Sequence, residues 1–183
     1  MKPAIGRVLI SEPFLPDPNF SRSVILLVEH NNEGSIGYVL NHKTDYAVNI
    51  LVADMEVVNN SAFQGGPVDL ESFHYIHSYP NVSGCSKITD SLFWSGDFED
   101  VKEGLRTGKY LQENFIFFVG YSGWAPGQLQ TELDAKSWVV AALKDQDVLD
   151  LNTDSAQLWK KAMRETGGSN VLLVNSPIDP SLN

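Results

Sequence analysis

Residues 23–41, SVILLVEHNNEGSIGYVLN, have the pattern of two apolar strands joined by a short polar loop. Its first part, Ser23–His30, carries an apolar run that is typical of a strand buried on both faces. Residues 31–34 have the composition of a hairpin loop, so Ser35–Asn41 is predicted to return antiparallel to the first strand. The segment therefore predicts the antiparallel hairpin around which a sheet is built.

Further strands are predicted on both sides of this hairpin. They are Arg7–Ile10, Phe73–Tyr79, Leu92–Trp94 and Phe115–Tyr121. Within Phe73–Tyr79, a period of two indicates one aromatic face and places His74 and His77 on opposite faces. Because Val24–Val28 and Phe115–Val119 are continuous apolar runs, we expect them to be central, buried strands.

Helices are predicted mainly in the second half of the chain. One contains Phe98, Val101 and Leu105 at helical spacing, between Asp97 as N-cap and Gly108 as stop signal. Another covers Asp154–Glu165, where an apolar stripe follows a capping Asp. A short third helix is predicted to have Pro126 at its first position. Strands that come early and helices that come late favour an α+β fold, and the absence of a linker predicts one domain over residues 1–183.

The charge balance limits the partners of the chain. The 13 Lys and Arg residues stand against 23 Asp and Glu residues, which leaves a formal net charge of −10. A surface this acidic repels nucleic-acid phosphates and anionic lipids, so direct binding to DNA or to a membrane is not expected. One Cys cannot form an internal disulfide, and the short apolar runs give no targeting or membrane-spanning segment. We therefore expect a cytoplasmic protein.

The standard catalytic signatures are absent from the sequence. GYSGW at 120–124 resembles a nucleophile elbow, but Trp124 stands where that motif needs its second Gly. Neither of the usual glycine-rich phosphate loops occurs. The four His residues lack both the HExxH spacing and a Cys cluster, so no metal site and no cofactor are predicted.

Polar residues cluster where the predicted strands end. Glu29 and His30 end the first strand of the hairpin, and Asn41 ends the second. Because a strand rises about 3.4 Å per residue from the loop, Asn41 should lie far from His30. The turn at 65–68 follows Gln64, and Gly65 and Gly66 in it have backbone N–H groups that could face a ligand.

Residues 120–133, GYSGWAPGQLQTEL, are the most informative stretch for function. Glycines and Pro126 precede a single amphipathic turn in which Leu129 and Leu133 face the core. Gln128 and Glu132 form a parallel polar row, which we expect on the wall of a surface recess shaped by this turn. The alternative is a capped turn whose polar face is solvated and whose Trp124 fills the core.

The same segments resemble the YqgE/AlgH family, a bacterial family without an established biochemical activity. The resemblance covers nearly the whole chain and depends on the order and spacing of several short motifs. They are residues 6–10 with Pro13, residues 17–25, Glu29-His30, residues 34–37, Leu40-Asn41, GGPV at 65–68 and the stretch 120–133. Two positions depart from the family pattern: His42 stands where the family usually has Arg, and Gln130 where it tends to have Glu.

The resemblance implies a single α+β domain whose mostly antiparallel sheet is split and curled into a pseudo-barrel with helices packed around it. It implies no known catalytic residues. One branch of the family carries a name linked to transcriptional regulation of polysaccharide synthesis. Because the chain is acidic and has no basic stripe, a regulatory effect is expected to pass through another protein or a small ligand.

These observations favour a binding or regulatory protein with one polar-aromatic surface, where aromatic rings stack and polar groups direct a ligand. The residues expected in or near it are Glu29, His30, Asn41, Gln64, Gly65, Gly66, Tyr121, Trp124, Gln128 and Glu132. The alternative is a hydrolase-like enzyme in which His30 acts as base and Glu29 or Glu132 orients it. Direct DNA binding is the least favoured of the three functions because the chain has a net charge of −10.

Overall fold

The hairpin predicted from residues 23–41 lies inside a ten-stranded sheet. The structure is a computed structural model that describes residues 1–150, 154–167 and 174. The strands in this part of the chain are β1 (Val8–Ser11), β2 (Val24–Asn31), β3 (Gly34–Val39), β4 (Lys43–Ala47), β5 (Ser61–Gln64), β6 (Val68–His77), β7 (Ser86–Lys87), β8 (Phe93–Trp94), β9 (Phe115–Trp124) and β10 (Trp138–Ala141).

The helices pack around this sheet, mostly in the second half of the chain. Those of the described residues are α1 (Val48–Leu51), α2 (Phe98–Thr107), α3 (Gln128–Asp134), α4 (Asp145–Val148) and α5 (Ser155–Thr166). The predicted helices α2 and α5 are confirmed, with Asp97 and Asp154 accepting hydrogen bonds from backbone N–H groups of the first turn. No helix in the described part of the chain combines the length and the apolar character that crossing a membrane requires.

Strand β9 joins the two halves of the sheet. The strand order is β10-β1-β2-β3-β9-β6-β8-β7, with β5 pairing β9 and β4 pairing β5. Every pair is antiparallel except β5 with β9, which run parallel. Over the described residues the sheet does not close on itself. The predicted single α+β domain with a split, mostly antiparallel sheet and packed helices is confirmed.

The two faces of the sheet bury different cores. Along β9, Ile116 and Phe118 join the core that β1, β2, β3 and β6 share with α5, while Phe115 and Phe117 pack toward α2. Strand β2 alternates in the same way and contributes Ile25 and Leu27 to a third core beneath α3. Both central strands are buried, as their continuous apolar runs predict.

One helix boundary differs from the sequence prediction. Helix α3 begins at Gln128 and its N-cap is Gly127, so Pro126 lies before the helix and not at its first position. Gly127 has a φ of +78°, which is a left-handed conformation that glycine adopts without strain. Helical geometry therefore cannot extend back through Gly127 to Pro126.

Candidate functional site

The loop end of the hairpin packs against the end of β9. Ser35 is paired with Trp124 and Ile36 with Gly123. Gly34 permits the close approach, since a Cβ there would lie 2.3 Å from the carbonyl oxygen of Trp124. The pairing encloses an open groove of about 430 Å³, which we call the hairpin groove. It is lined chiefly by Glu29, Glu33, Ile36, Val68, Tyr121 and Trp124.

The hairpin groove combines acidic groups with an apolar floor. Glu29 accepts a hydrogen bond from the Asn31 side chain at 2.9 Å, and the Asn31 oxygen accepts one from the backbone N–H of Glu33 at 2.7 Å. The first contact orients the Glu29 carboxylate and the second holds the loop backbone at Glu33, and both glutamates line the groove together with Tyr121 and the exposed side chain of Val68. The groove is therefore suited to a ligand that is cationic and partly apolar.

Tyr121 is held from behind by other aromatic rings, of which His74 is partly buried and Tyr38 fully buried. His74 packs edge to face against it with centroids 5.9 Å apart, and Tyr38 lies 5.3 Å from His74. Trp94 donates its indole N–H to the Tyr38 hydroxyl at 3.0 Å. Burial lowers the pKa of His74, so its ring is neutral near pH 7. Tyr121 is thus a fixed contact surface.

A smaller recess lies on the other side of Trp124, and we call it the tryptophan recess. It has a volume of about 250 Å³ and is lined by Asp17, Phe20, Trp124, Gln128, Glu132 and Trp138, among others. The predicted Gln128–Glu132 row therefore stands on the wall of a recess. One Glu132 oxygen accepts the indole N–H groups of Trp124 and Trp138, and the other accepts from Gln128 at 2.9 Å. The carboxylate thus serves internal contacts.

His30 lies apart from Glu29, in a third depression that we call the N-terminal cavity. This cavity has a volume of about 730 Å³ and is lined by side chains of the N-terminal segment, α3 and β10. His30 Nδ1 lies 2.8 Å from the Ser35 hydroxyl. No carboxylate of the described residues lies within 4.0 Å of a His30 ring nitrogen, so the predicted pairing with Glu29 or Glu132 is not formed. Glu29 and His30 line different depressions because successive strand residues point to opposite faces.

Asn41 lies at the far end of the hairpin, as the strand register predicts. Its side chain is only 5% exposed, accepts a hydrogen bond from the backbone N–H of Val24 and donates one to the carbonyl of Arg22. The neighbouring His42 lies 3.2 Å from the hydroxyl of the fully buried Ser23. Burial also lowers the pKa of His42. This end of the hairpin is a buried hydrogen-bonded junction.

The glycine turn after Gln64 is also packed. The backbone N–H of Gly65 donates to the carbonyl of Val119, and the Gly65 carbonyl accepts from the Ser122 hydroxyl at 2.9 Å. A Cβ on Gly66 would lie 2.3 Å from the carbonyl oxygen of Tyr121. The residues expected on one surface therefore do not share one depression. Asn41, Gln64, Gly65 and Gly66 line none of the three depressions, because strand pairing with β9 draws the turn inward.

Several lining residues had no signal in the sequence. Glu33, Ile36 and Val68 reach the hairpin groove, and Lys2 and Lys136 reach the N-terminal cavity, only through pairing between distant segments. The composition of the hairpin loop could have pointed to Glu33, which is the one acidic residue in it. Within the described residues, no group of three or more His, Cys, Asp or Glu side chains could hold a metal ion.

Comparison with known proteins finds UPF0301 proteins of other bacteria that are similar over nearly the whole chain. A UPF0301 protein of Cytophaga hutchinsonii is 38% identical over 97% of this chain and 98% of its own length. One from Bacteroides thetaiotaomicron is 34% identical over 99% of this chain and 92% of its own length.

Solved structures share the fold. A Corynebacterium diphtheriae protein superposes with a TM-score of 0.78 at 26% identity, covering 96% of this chain and 93% of that one. The AlgH protein of Pseudomonas aeruginosa superposes with a TM-score of 0.72 at 23% identity, covering 97% and 98%. The family model described as AlgH-like matches residues 8–171, and the chain therefore belongs to the AlgH-like family.

Proposed function

We propose that this chain is a cytoplasmic binding protein whose hairpin groove takes a basic segment of a partner protein. The observation that carries the proposal is the pair of carboxylates near the tip of the hairpin, Glu29 of β2 and Glu33 of the loop, which line the groove together with the side chains of Ile36, Val68 and Tyr121. A Lys or Arg side chain fits this arrangement because its stem covers apolar surface while its cation meets a carboxylate.

Recognition in this groove is by side chains. Strand β3 is paired with β2 on one side and with β9 on the other, so it offers no free edge to an added strand. Specificity then depends on the ring of Tyr121 and on the two carboxylates. Arg is favoured over Lys because its planar cation both stacks on Tyr and pairs with carboxylates.

The charge of the whole chain supports a basic partner. A net charge of −10 attracts cationic surfaces and raises their rate of encounter, while it repels duplex DNA. A regulatory effect would then act through the bound protein and not through direct contact with a promoter. The affinity should fall as ionic strength rises, since exposed charges carry part of the recognition.

The experiment is a titration of the ¹⁵N-labelled full chain with twelve-residue peptides in which Arg alternates with apolar residues, followed by NMR. We expect saturable shifts at the hairpin groove, and weaker binding by the double variant Glu29→Gln/Glu33→Gln and by Tyr121→Ala. Glu113→Gln is the matched control, since Glu113 is an exposed carboxylate near the opposite end of β9. Equal binding of peptides with Glu in place of Arg, or shifts elsewhere on the chain, would contradict the proposal.

A further inference from the structure

We propose that the N-terminal cavity is a second binding site, for a small amphiphilic anion with one carboxylate or phosphate group on an apolar body. Its volume of about 730 Å³ is larger than that of the hairpin groove or the tryptophan recess. It falls within the range of about 300–1,000 Å³ that is typical of small-molecule sites. The site is separate from the hairpin groove, because the two depressions have no lining residue in common.

One wall of the cavity is apolar. It is formed by Leu133 of α3, by Trp138, Val139 and Val140 of β10, and by Met163 of α5. The indole N–H of Trp138 already donates to Glu132, on the side of the tryptophan recess. The Trp138 surface that faces the cavity is therefore carbon surface, which favours the apolar body of a ligand.

The rim of the cavity carries an excess of positive charge. Lys2 and Lys136 line it, and neither makes an ion pair within 4.0 Å with a carboxylate of the described residues. The cavity also contains Glu12, whose Oε2 accepts a hydrogen bond from the backbone N–H of Phe14 at 3.0 Å. Two lysines against one glutamate make this a locally positive place on a chain with a net charge of −10. An anion is attracted here while the rest of the surface repels it.

Two further hydrogen-bonding side chains, His30 and Gln130, complete the polar side of the cavity. His30 lines the cavity with Nδ1 engaged by the Ser35 hydroxyl at 2.8 Å, which fixes the ring. When the Ser35 hydroxyl donates to Nδ1, Nε2 carries the ring proton and can donate to an anion. Gln130 also lines the cavity, and its amide donates to Asp134 at 2.7 Å. A Glu at position 130 would add a negative charge to this wall, so Gln130 keeps the site favourable to anions.

The test uses decanoate and decyl phosphate below their micelle concentrations, titrated into the full chain and followed by NMR and calorimetry. We expect saturable binding with shifts at the N-terminal cavity, and much weaker binding of decyltrimethylammonium. The double variant Lys2→Gln/Lys136→Gln should lose about fivefold or more in affinity for both anions. Gln130→Glu, which is nearly isosteric, should also weaken both. The double variant Lys43→Gln/Lys144→Gln, at exposed lysines outside the cavity, should bind like the parent chain.

Three results would overturn the proposal. The first is equal binding of the cationic and anionic amphiphiles, and the second is full affinity in Lys2→Gln/Lys136→Gln. The third is co-sedimentation with phosphatidylglycerol vesicles that this double variant abolishes, because the lysines would then serve a membrane surface and not a free molecule. An unchanged melting temperature without ligand shows that each variant is folded. Failure here leaves the peptide experiment on the hairpin groove unaffected, since the two tests change different residues.

Discussion

Trp124 and Trp138 donate their indole N–H groups to the same carboxylate oxygen, at 2.9 and 2.7 Å, with their rings edge to face and 6.0 Å apart. The oxygen belongs to Glu132, which thereby links the end of β9, the helix α3 and the strand β10. Both rings are buried, so a lost acceptor leaves two buried donors unsatisfied.

Removal of this acceptor should destabilise the fold. We expect Glu132→Ala to lower the free energy of unfolding by about 2–4 kcal/mol, because each unsatisfied buried donor costs about 1–3 kcal/mol. Gln128→Ala, at an exposed residue on the same helix face, should cost less than about 1 kcal/mol. Urea denaturation of the two variants checks this. Equal stability of both would mean that the indole contacts contribute nothing.

One buried and two partly buried histidines should make stability depend on pH. Burial lowers the pKa of His42, His74 and His77 below the usual 6.5, so the unfolded chain binds protons more readily than the folded chain. Their contribution to stability is full above about pH 6.5 and is lost as the pH falls from there through the lowered pKa values. His77 shows the cause most clearly. Its ring is fully buried, and this burial outweighs the opposing effect of the hydrogen bonds that Nε2 donates to the Ser95 carbonyl and that Nδ1 accepts from the Tyr79 N–H.

Urea denaturation at pH 7.5 and pH 5.5 measures this dependence. We expect the parent chain to be less stable at the lower pH and His77→Gln to lose less between the two values. If His77→Gln and the parent chain lose equal stability, protonation of His77 does not contribute.

Substitution of Gly34 should separate the hairpin from β9. A Cβ at Gly34 would lie 2.3 Å from the Trp124 carbonyl oxygen, and the φ of +140° disfavours any side chain. We expect Gly34→Ala to cost about 2–4 kcal/mol, as a backbone clash combined with strain. Gly84→Ala is the matched control, because Gly84 has a positive φ with open space around it and should cost about 1 kcal/mol. Thermal unfolding distinguishes them, and equal losses would show that the hairpin moves aside freely.

Asn41 should matter for stability and not for binding. Asn41→Ala removes the acceptor of the Val24 N–H and the donor to the Arg22 carbonyl, so we expect a loss of about 2–3 kcal/mol. Asn32→Ala, in the exposed hairpin loop, should change stability by less than about 0.5 kcal/mol. At a temperature where Asn41→Ala is folded, it should bind the arginine peptide with the affinity of the parent chain. If the folded variant loses peptide binding, Asn41 contributes to the binding surface and this prediction is wrong.

The sequence predicts the hairpin and the helices α2 and α5 well because their signals are local. The apolar run of β2, its loop and the cap at Asp97 each depend on neighbours along the chain. Short strands such as β5 and β10 carry no such signal, since pairing with distant partners creates them. Pairing between distant segments also explains why some of the predicted site residues line a depression and others are buried. Glu29 meets Tyr121 because β3 pairs with β9, whereas Asn41 is drawn into the core by contacts that no spacing reveals.

Strand β9 also imposes an order on how a nascent chain can fold. Its three sheet partners, β3, β5 and β6, all precede it in the sequence and so leave the ribosome first. Until residues 115–124 are synthesised, each of those strands has an edge without its final partner. Such edges attract other chains, and non-local pairing of this kind slows folding. Productive assembly of the sheet therefore waits on one late strand, and synthesis halted before it would leave a chain prone to aggregate.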